Sequence, residues 1–134
     1  MAKPAAVKDY MSSIMVKFTP DMDVLEALRI ILEKDVPGGP VVDKLGNVVG
    51  ILSEKDCLGA SLSASYHEQW GGRVSEFMQT EVESVEADAN IADVAKLFMK
   101  KEFKHLPVMQ ENQLVGQISR RDVLKALEWL RQEE

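Results

Sequence analysis

The chain has 134 residues, 46% of them hydrophobic and 28% charged, with 16 Lys and Arg against 22 Asp and Glu and a formal charge of −6. That mixture excludes disorder, collagen and a long coiled coil, and places the chain among globular domains. A sequence pI near 5.0 also argues against wrapping generic duplex DNA, which requires a clear cationic excess.

The opening Met1-Ala2-Lys3-Pro4-Ala5-Ala6 lacks the apolar stretch of a signal peptide. An extended piece, Val16-Lys17-Phe18, precedes a helix opened by Asp23-x-x-Glu26, close to a capping box, with Val24, Leu28 and Ile31 at helical spacing. Pro40-Val41-Val42 and Val48 to Leu52 then read as two strands around the turn Leu45-Gly46-Asn47. Even this most apolar window falls far short of a membrane span. A helix follows from Ser53. It carries the single cysteine, Cys57, which excludes a disulfide framework and a Cys-based zinc site and reads as a small buried hydrophobe.

Residues 59–73 are rich in Gly and Ser and read as a linker. Tyr66 and Trp70 imply that part of it packs, and His67 and Trp70 form either a contact surface or simple packing. Val82 to Val85 is again extended, followed by a helix opened by Asn90-x-x-Asp93 with Ile91, Val94, Leu97 and Phe98. Pro107-Val108-Met109 and Leu114 to Ile118 flank the turn Glu111-Asn112-Gln113. The last helix starts at Ser119, with an apolar face at Val123, Leu127 and Leu130. Leu124 and Trp129 fall off that line, serving either a dimer interface or a wider core face.

The two halves repeat each other. A shift of 67 residues pairs Val7 with Val74, Met11 with Met78, Asp21 with Asp88, Lys34 with Lys101, Pro40 with Pro107 and Val41 with Val108. Past the loop at 43–47 the shift becomes 66, pairing Val49 with Val115, Gly50 with Gly116, Ser53 with Ser119, Asp56 with Asp122 and Leu58 with Leu124. A one-residue slip in a turn is what a change of hairpin length leaves behind. The organisation is therefore an α/β (α+β) chain of two β-α-β-β-α repeats: 7–58, the linker 59–73, and 74–127 with the last helix running on to 134. A repeat of this size is marginal alone, so the two are expected to pack on each other.

These landmarks resemble a tandem pair of CBS domains, a Bateman module. They are Met11 and Met78, Pro40-Val41 and Pro107-Val108, and the motif Gly-x-x-Ser-x-x-Asp at Gly50–Asp56 and Gly116–Asp122. The resemblance runs from about Val7 to Leu127 and implies a pseudo-twofold pair with two clefts, assembled as a homodimer. It further implies an adenosine-type ligand (AMP, ADP or ATP) in the inter-repeat cleft and a partner protein that senses it. The two repeats use up the chain, so no fused catalytic domain is expected.

For Ser-x-x-Asp two physical readings stand side by side. A Ser at the mouth of a helix lies where free N–H groups and the macrodipole favour an anion, and an Asp one turn in accepts from ribose hydroxyls. The same spacing is also close to a capping box, which needs no ligand. The second copy adds Arg120 and Arg121 in its first helical turn, where cations oppose the dipole unless an anion compensates. Lys100, Lys101, Lys104 and His105 lie along the same copy. The favoured site is thus Ser119, Asp122, Arg121, Arg120 and His105, with Leu106, Pro107 and Thr80 joining it through the resemblance. The alternative for these charges is a solvated helix end.

The first site, Ser53, Asp56, Lys55, Gly39 and Pro40, is weaker. Glu54 replaces one arginine, and Gly38-Gly39 either admit a ligand close to the backbone or make a turn. No nucleophile–base pair, metal cluster or paired-carboxylate spacing emerges, so neither catalysis nor a metal is expected. The expectation is a stand-alone cytoplasmic regulatory module, without nucleic-acid or membrane partners. A ligand-free structural adaptor or dimerisation module is its alternative.

Overall fold

The computed structural model describes residues 3–67 and 71–132, with the backbone alone for 64–67. Trp70 and the side chains of Tyr66 and His67 therefore lie outside the described residues. The chain divides into two compact units: Val16–Val82, and the segment up to Met15 together with the chain from Glu83 onward.

In the unit Val16–Val82, the extended piece ending at Phe18 meets the sheet through one parallel bridge to Val41. Helix α1 (Val24–Lys34) is capped by Asp23, whose carboxylate accepts from the Leu25 N–H, and closes on Asp35 at φ 54°. The Asp23 cap thus forms without the reciprocal Glu26 contact of a full box. Strands β1 (Gly38–Val42) and β2 (Val48–Ser53) form an antiparallel hairpin with a bulge after Val41. Helix α2 (Glu54–His67) leaves the sheet directly, and a single turn α3 (Val74–Phe77) follows the linker. Phe18, Ala27, Ile31, Val41, Leu52, Cys57 and Val74 make the core.

The other unit repeats this plan. Strand β3 (Val85–Glu86) pairs parallel with β4 (His105–Gln110), which runs antiparallel to β5 (Gln113–Ser119). Helix α4 (Ile91–Lys100) is capped by Asn90 through the Ala92 N–H, and α5 (Arg120–Arg131) follows β5 without a break. The β4–β5 turn is only Glu111-Asn112, both at positive φ (51° and 63°), the geometry that suits the twist of a two-residue hairpin. The core is Val7, Val85, Ala87, Ile91, Val94, Leu106, Val108, Ile118, Val123 and Ala126.

Two details differ from the sequence reading. The buried stripe of α5 is Val123 and Ala126 with Leu130 partly covered, while Leu127 is exposed. All four fall within one helical sector, of which Val123 and Ala126 are the buried members. The unit boundaries are also offset from the repeat. The residues around Met11 belong with the second hairpin and those around Met78 with the first: Ser12 bridges Gln117, and Gln79 bridges Ile51.

Candidate functional site

Each Ser-x-x-Asp stands where a strand of the hairpin becomes a helix. At the second, the Ser119 N–H donates to Asp122 Oδ2 at 2.9 Å and the Asp122 N–H donates to Ser119 Oγ at 3.1 Å. At the first, the Ser53 N–H and hydroxyl both donate to Asp56 Oδ2 at 2.9 Å, and the Asp56 N–H donates to Ser53 Oγ at 3.2 Å. Both are complete capping boxes. The cap occupies only one oxygen of each aspartate, so it does not compete with a ligand for the other.

The second oxygens differ. Asp56 Oδ1 accepts from Gln79 Nε2 at 2.9 Å, whereas Asp122 Oδ1 accepts no hydrogen bond among the described residues. Arg120 and Arg121 are exposed on the first turn of α5. Neither forms an ion pair among the described residues. The first turn of α5 thus carries two cations that no described carboxylate pairs with, beside the single capping carboxylate of Asp122.

Strand register decides which neighbours share this face. His105 pairs with Ser119 and Pro107 with Gln117, while Leu106 pairs with Ile118. Side chains alternate across a strand, so His105, Pro107, Gln117 and Ser119 share one face. Leu106 and Ile118 point into the core and are 1% and 0% exposed. Leu106 can therefore offer a ligand only its backbone. Gln117, which the sequence reading passed over, has a buried Oε1 without a hydrogen-bond partner among the described residues. Only the register reveals it, two residues before Ser119.

The first motif is built from Gly38 opposite Ser53 and Pro40 opposite Ile51, with Lys55 and Glu54 both exposed on α2. Its glycines serve the chain itself. A Cβ on Gly39 would lie 2.2 Å from the Val16 carbonyl oxygen, and one on Gly38 2.1 Å from that of Leu52. Pro40 is buried, and its carbonyl accepts from the Phe18 N–H at 3.0 Å. Thr80 is exposed in this same unit, next to Gln79. In the other unit Ser13 holds the matching position.

Other features are chemically quiet. Cys57 is buried, and burial, then Asp56 and Glu54, pushes its thiol pKa up, the reverse of an activated nucleophile. A depression of about 460 Å³ lined by Lys8, Glu86, Asp88 and Glu111 lies at the turn end of β4–β5, away from Ser119. Its three carboxylates give it the wrong sign for an anion. No group of His, Cys, Asp and Glu among the described residues is arranged to hold a metal, and no described helix is long and apolar enough to cross a membrane.

The CBS domain family matches residues 7–63 and 74–128, most of the chain. The chain belongs to the CBS-domain family. The fold of this CBS pair is similar to that of the CBS-pair protein CBSX2 from Arabidopsis thaliana, with a TM-score of 0.84 and 26% identity over 98% of this chain and 100% of that one. CBSX2 in complex with AMP matches with a TM-score of 0.83 and 28% identity over 96% and 99%. The CBS domain-containing protein YhcV of Bacillus subtilis is 27% identical over 89% of this chain and 83% of its own length. This CBS pair spans 42% and 64% of the length of the first two curated relatives it matches, uncharacterised proteins of Methanocaldococcus jannaschii and Acidianus ambivalens.

Proposed function

We propose that this CBS pair is a regulatory module that binds an adenosine nucleotide of the AMP, ADP or ATP class at Ser119 and Asp122. The observation that carries the reading is the state of the α5 N-terminus. Among the described residues one Asp122 oxygen is without a donor, and Arg120 and Arg121 beside it form no ion pair. A ribose hydroxyl supplies the missing donor, and a phosphate supplies an ion-pair partner for the arginines at the positive end of the helix. The buried Gln117 carbonyl on the same strand face fits the exocyclic amine of adenine. That CBSX2, of the same fold and family, has been crystallised with AMP supports the choice of ligand class. His105, at the open end of β4, borders this face; Thr80 and the first-copy residues Ser53, Asp56, Lys55, Gly39 and Pro40 make the lesser case.

The reading requires neither a catalytic step nor a metal. Occupancy acts on a partner protein, or on a second copy in a homodimer, only through different affinities for two arrangements. Calorimetric titration of AMP tests the site. The double substitution Asp122→Ala with Arg121→Ala should weaken AMP at least tenfold, the scale of one or two charge-assisted hydrogen bonds. Unchanged affinity would mean that the site lies elsewhere.

A second reading, a ligand-free cytoplasmic adaptor, draws on the fact that both capping boxes are complete without ligand. It also draws on the repeat-equivalent Leu58 and Leu124, 64% and 67% exposed, as docking positions for a partner. On that reading Asp122→Ala lowers stability and no nucleotide binds.

A further inference from the structure

The two Ser-x-x-Asp motifs are matched in backbone and unmatched in one side chain. Gln79 and Ile51 exchange both backbone hydrogen bonds at 2.9 Å, and Ser12 and Gln117 do the same at 2.9 Å. Position 79 in one unit therefore corresponds to position 12 in the other. Met78 and Met11 cover Gly50 and Gly116 in the same way. From this shared position Gln79 reaches Asp56 Oδ1 with its amide N–H. Ser12 is too short to do likewise, and its hydroxyl turns to the Ile14 carbonyl at 2.9 Å.

We propose that Gln79 is a built-in plug that occupies the Asp56 carboxylate in place of a ribose, so that the chain takes one adenosine nucleotide rather than two. The inference rests on the reading of Asp122 as the ribose acceptor. Its chemistry is an exchange of donors. The side-chain amide supplies to Asp56 Oδ1 the hydrogen bond that a sugar hydroxyl supplies to Asp122 Oδ1, and a ribose at the first motif must take the place of that amide. The plug is tethered only 23 residues from its acceptor and held by a backbone bridge, so its effective concentration is high. The residue at position 79 thus sets the stoichiometry, and residue 12 keeps the second site open.

Calorimetry with AMP on the full chain tests this through a swap. Gln79→Ser should raise the stoichiometry from one AMP per chain to two, and Asp122→Ala should abolish binding. The double variant Gln79→Ser with Asp122→Ala should regain one. Ser12→Gln should plug the second site and weaken AMP about tenfold, the scale of one competing charge-assisted hydrogen bond. Both positions are exposed and bonded to the sheet through backbone atoms, so the folds should survive. If Gln79→Ser does not fold, Gln79→Met, which cannot donate, gives the same readout. Two AMP per wild-type chain, or a single AMP in Gln79→Ser, overturns the plug and leaves the Asp122 reading standing. One AMP retained by Asp122→Ala alone, or no AMP bound by any of these proteins, overturns both.

Discussion

Gly50 and Gly116 are fixed by what rests on them. A Cβ on Gly116 would lie 2.6 Å from the Ser12 carbonyl oxygen and 2.7 Å from Met11 Sδ. Flexible methionine yields, but the bridged backbone of Ser12 does not. Gly116→Ala should therefore cost about 1–3 kcal/mol, the usual scale of overpacking. Gly59, inside α2 with nothing within 4 Å of its missing Cβ, makes the contrast. Gly59→Ala should stabilise by about 0.5–1 kcal/mol through helix propensity. Urea denaturation of the two variants beside wild type checks both signs. The sequence showed these glycines as repeat-equivalent, but the atoms that exclude a side chain lie more than a hundred residues from Gly116 and nearly thirty from Gly50.

At the scale of the element, the two hairpins solve one problem with different turns. The β4–β5 turn uses two residues at positive φ. The β1–β2 loop uses five, organised by Asp43, whose Oδ1 accepts from the Leu45 and Asn47 N–H groups at 2.9 Å. The Asn47 backbone N–H first, then its side-chain amide and the Leu45 and Gly46 N–H groups, hold the Asp43 carboxyl below its ordinary pKa. A carboxyl whose pKa falls on folding stabilises the native state above its unfolded value, and that contribution disappears as pH drops through the folded value. Asp43→Ala should thus lower the urea midpoint near neutral pH, with the gap to wild type closing below about pH 4. An equal gap at both extremes would show that the carboxylate is not what orders the loop. The turn signals, the caps at Asp23 and Asn90, and the helix starts at Ser53 and Ser119 were all legible in sequence. Each is a contact within a few residues.

For the whole molecule, the offset between repeat and compact unit has consequences for dissection. The core of Val16–Val82 includes Val74, with Phe77 and Met78 against it, all beyond the linker. Val7 belongs to the other core. A fragment of residues 1–70 contains the whole first sequence repeat, yet it omits Val74 and carries Val7 without its partners. Circular dichroism should show it largely unfolded. Residues 16–82, which hold every member of their own core, should retain helix and lose it cooperatively on heating. At 67 residues that unit buries a modest fraction of its surface, so a low melting temperature is expected. Equal folding of the two fragments would contradict the assignment of Val74.

By itself, the sequence determined the repeat, the order of elements, the capping motifs and the family, because hydrophobic period, cap chemistry and turn residues act over one to four positions. It also showed the second motif to be the more cationic, with Arg120 and Arg121 where the first has Glu54 and Lys55. Only the tertiary structure decided which segments complete each unit, that Gln117 shares a face with Ser119, and that Gln79 bonds the second oxygen of Asp56. Those relations depend on strand register and on bridges between distant segments. A shift of one residue turns a side chain to the other face, and no local pattern reports which register wins.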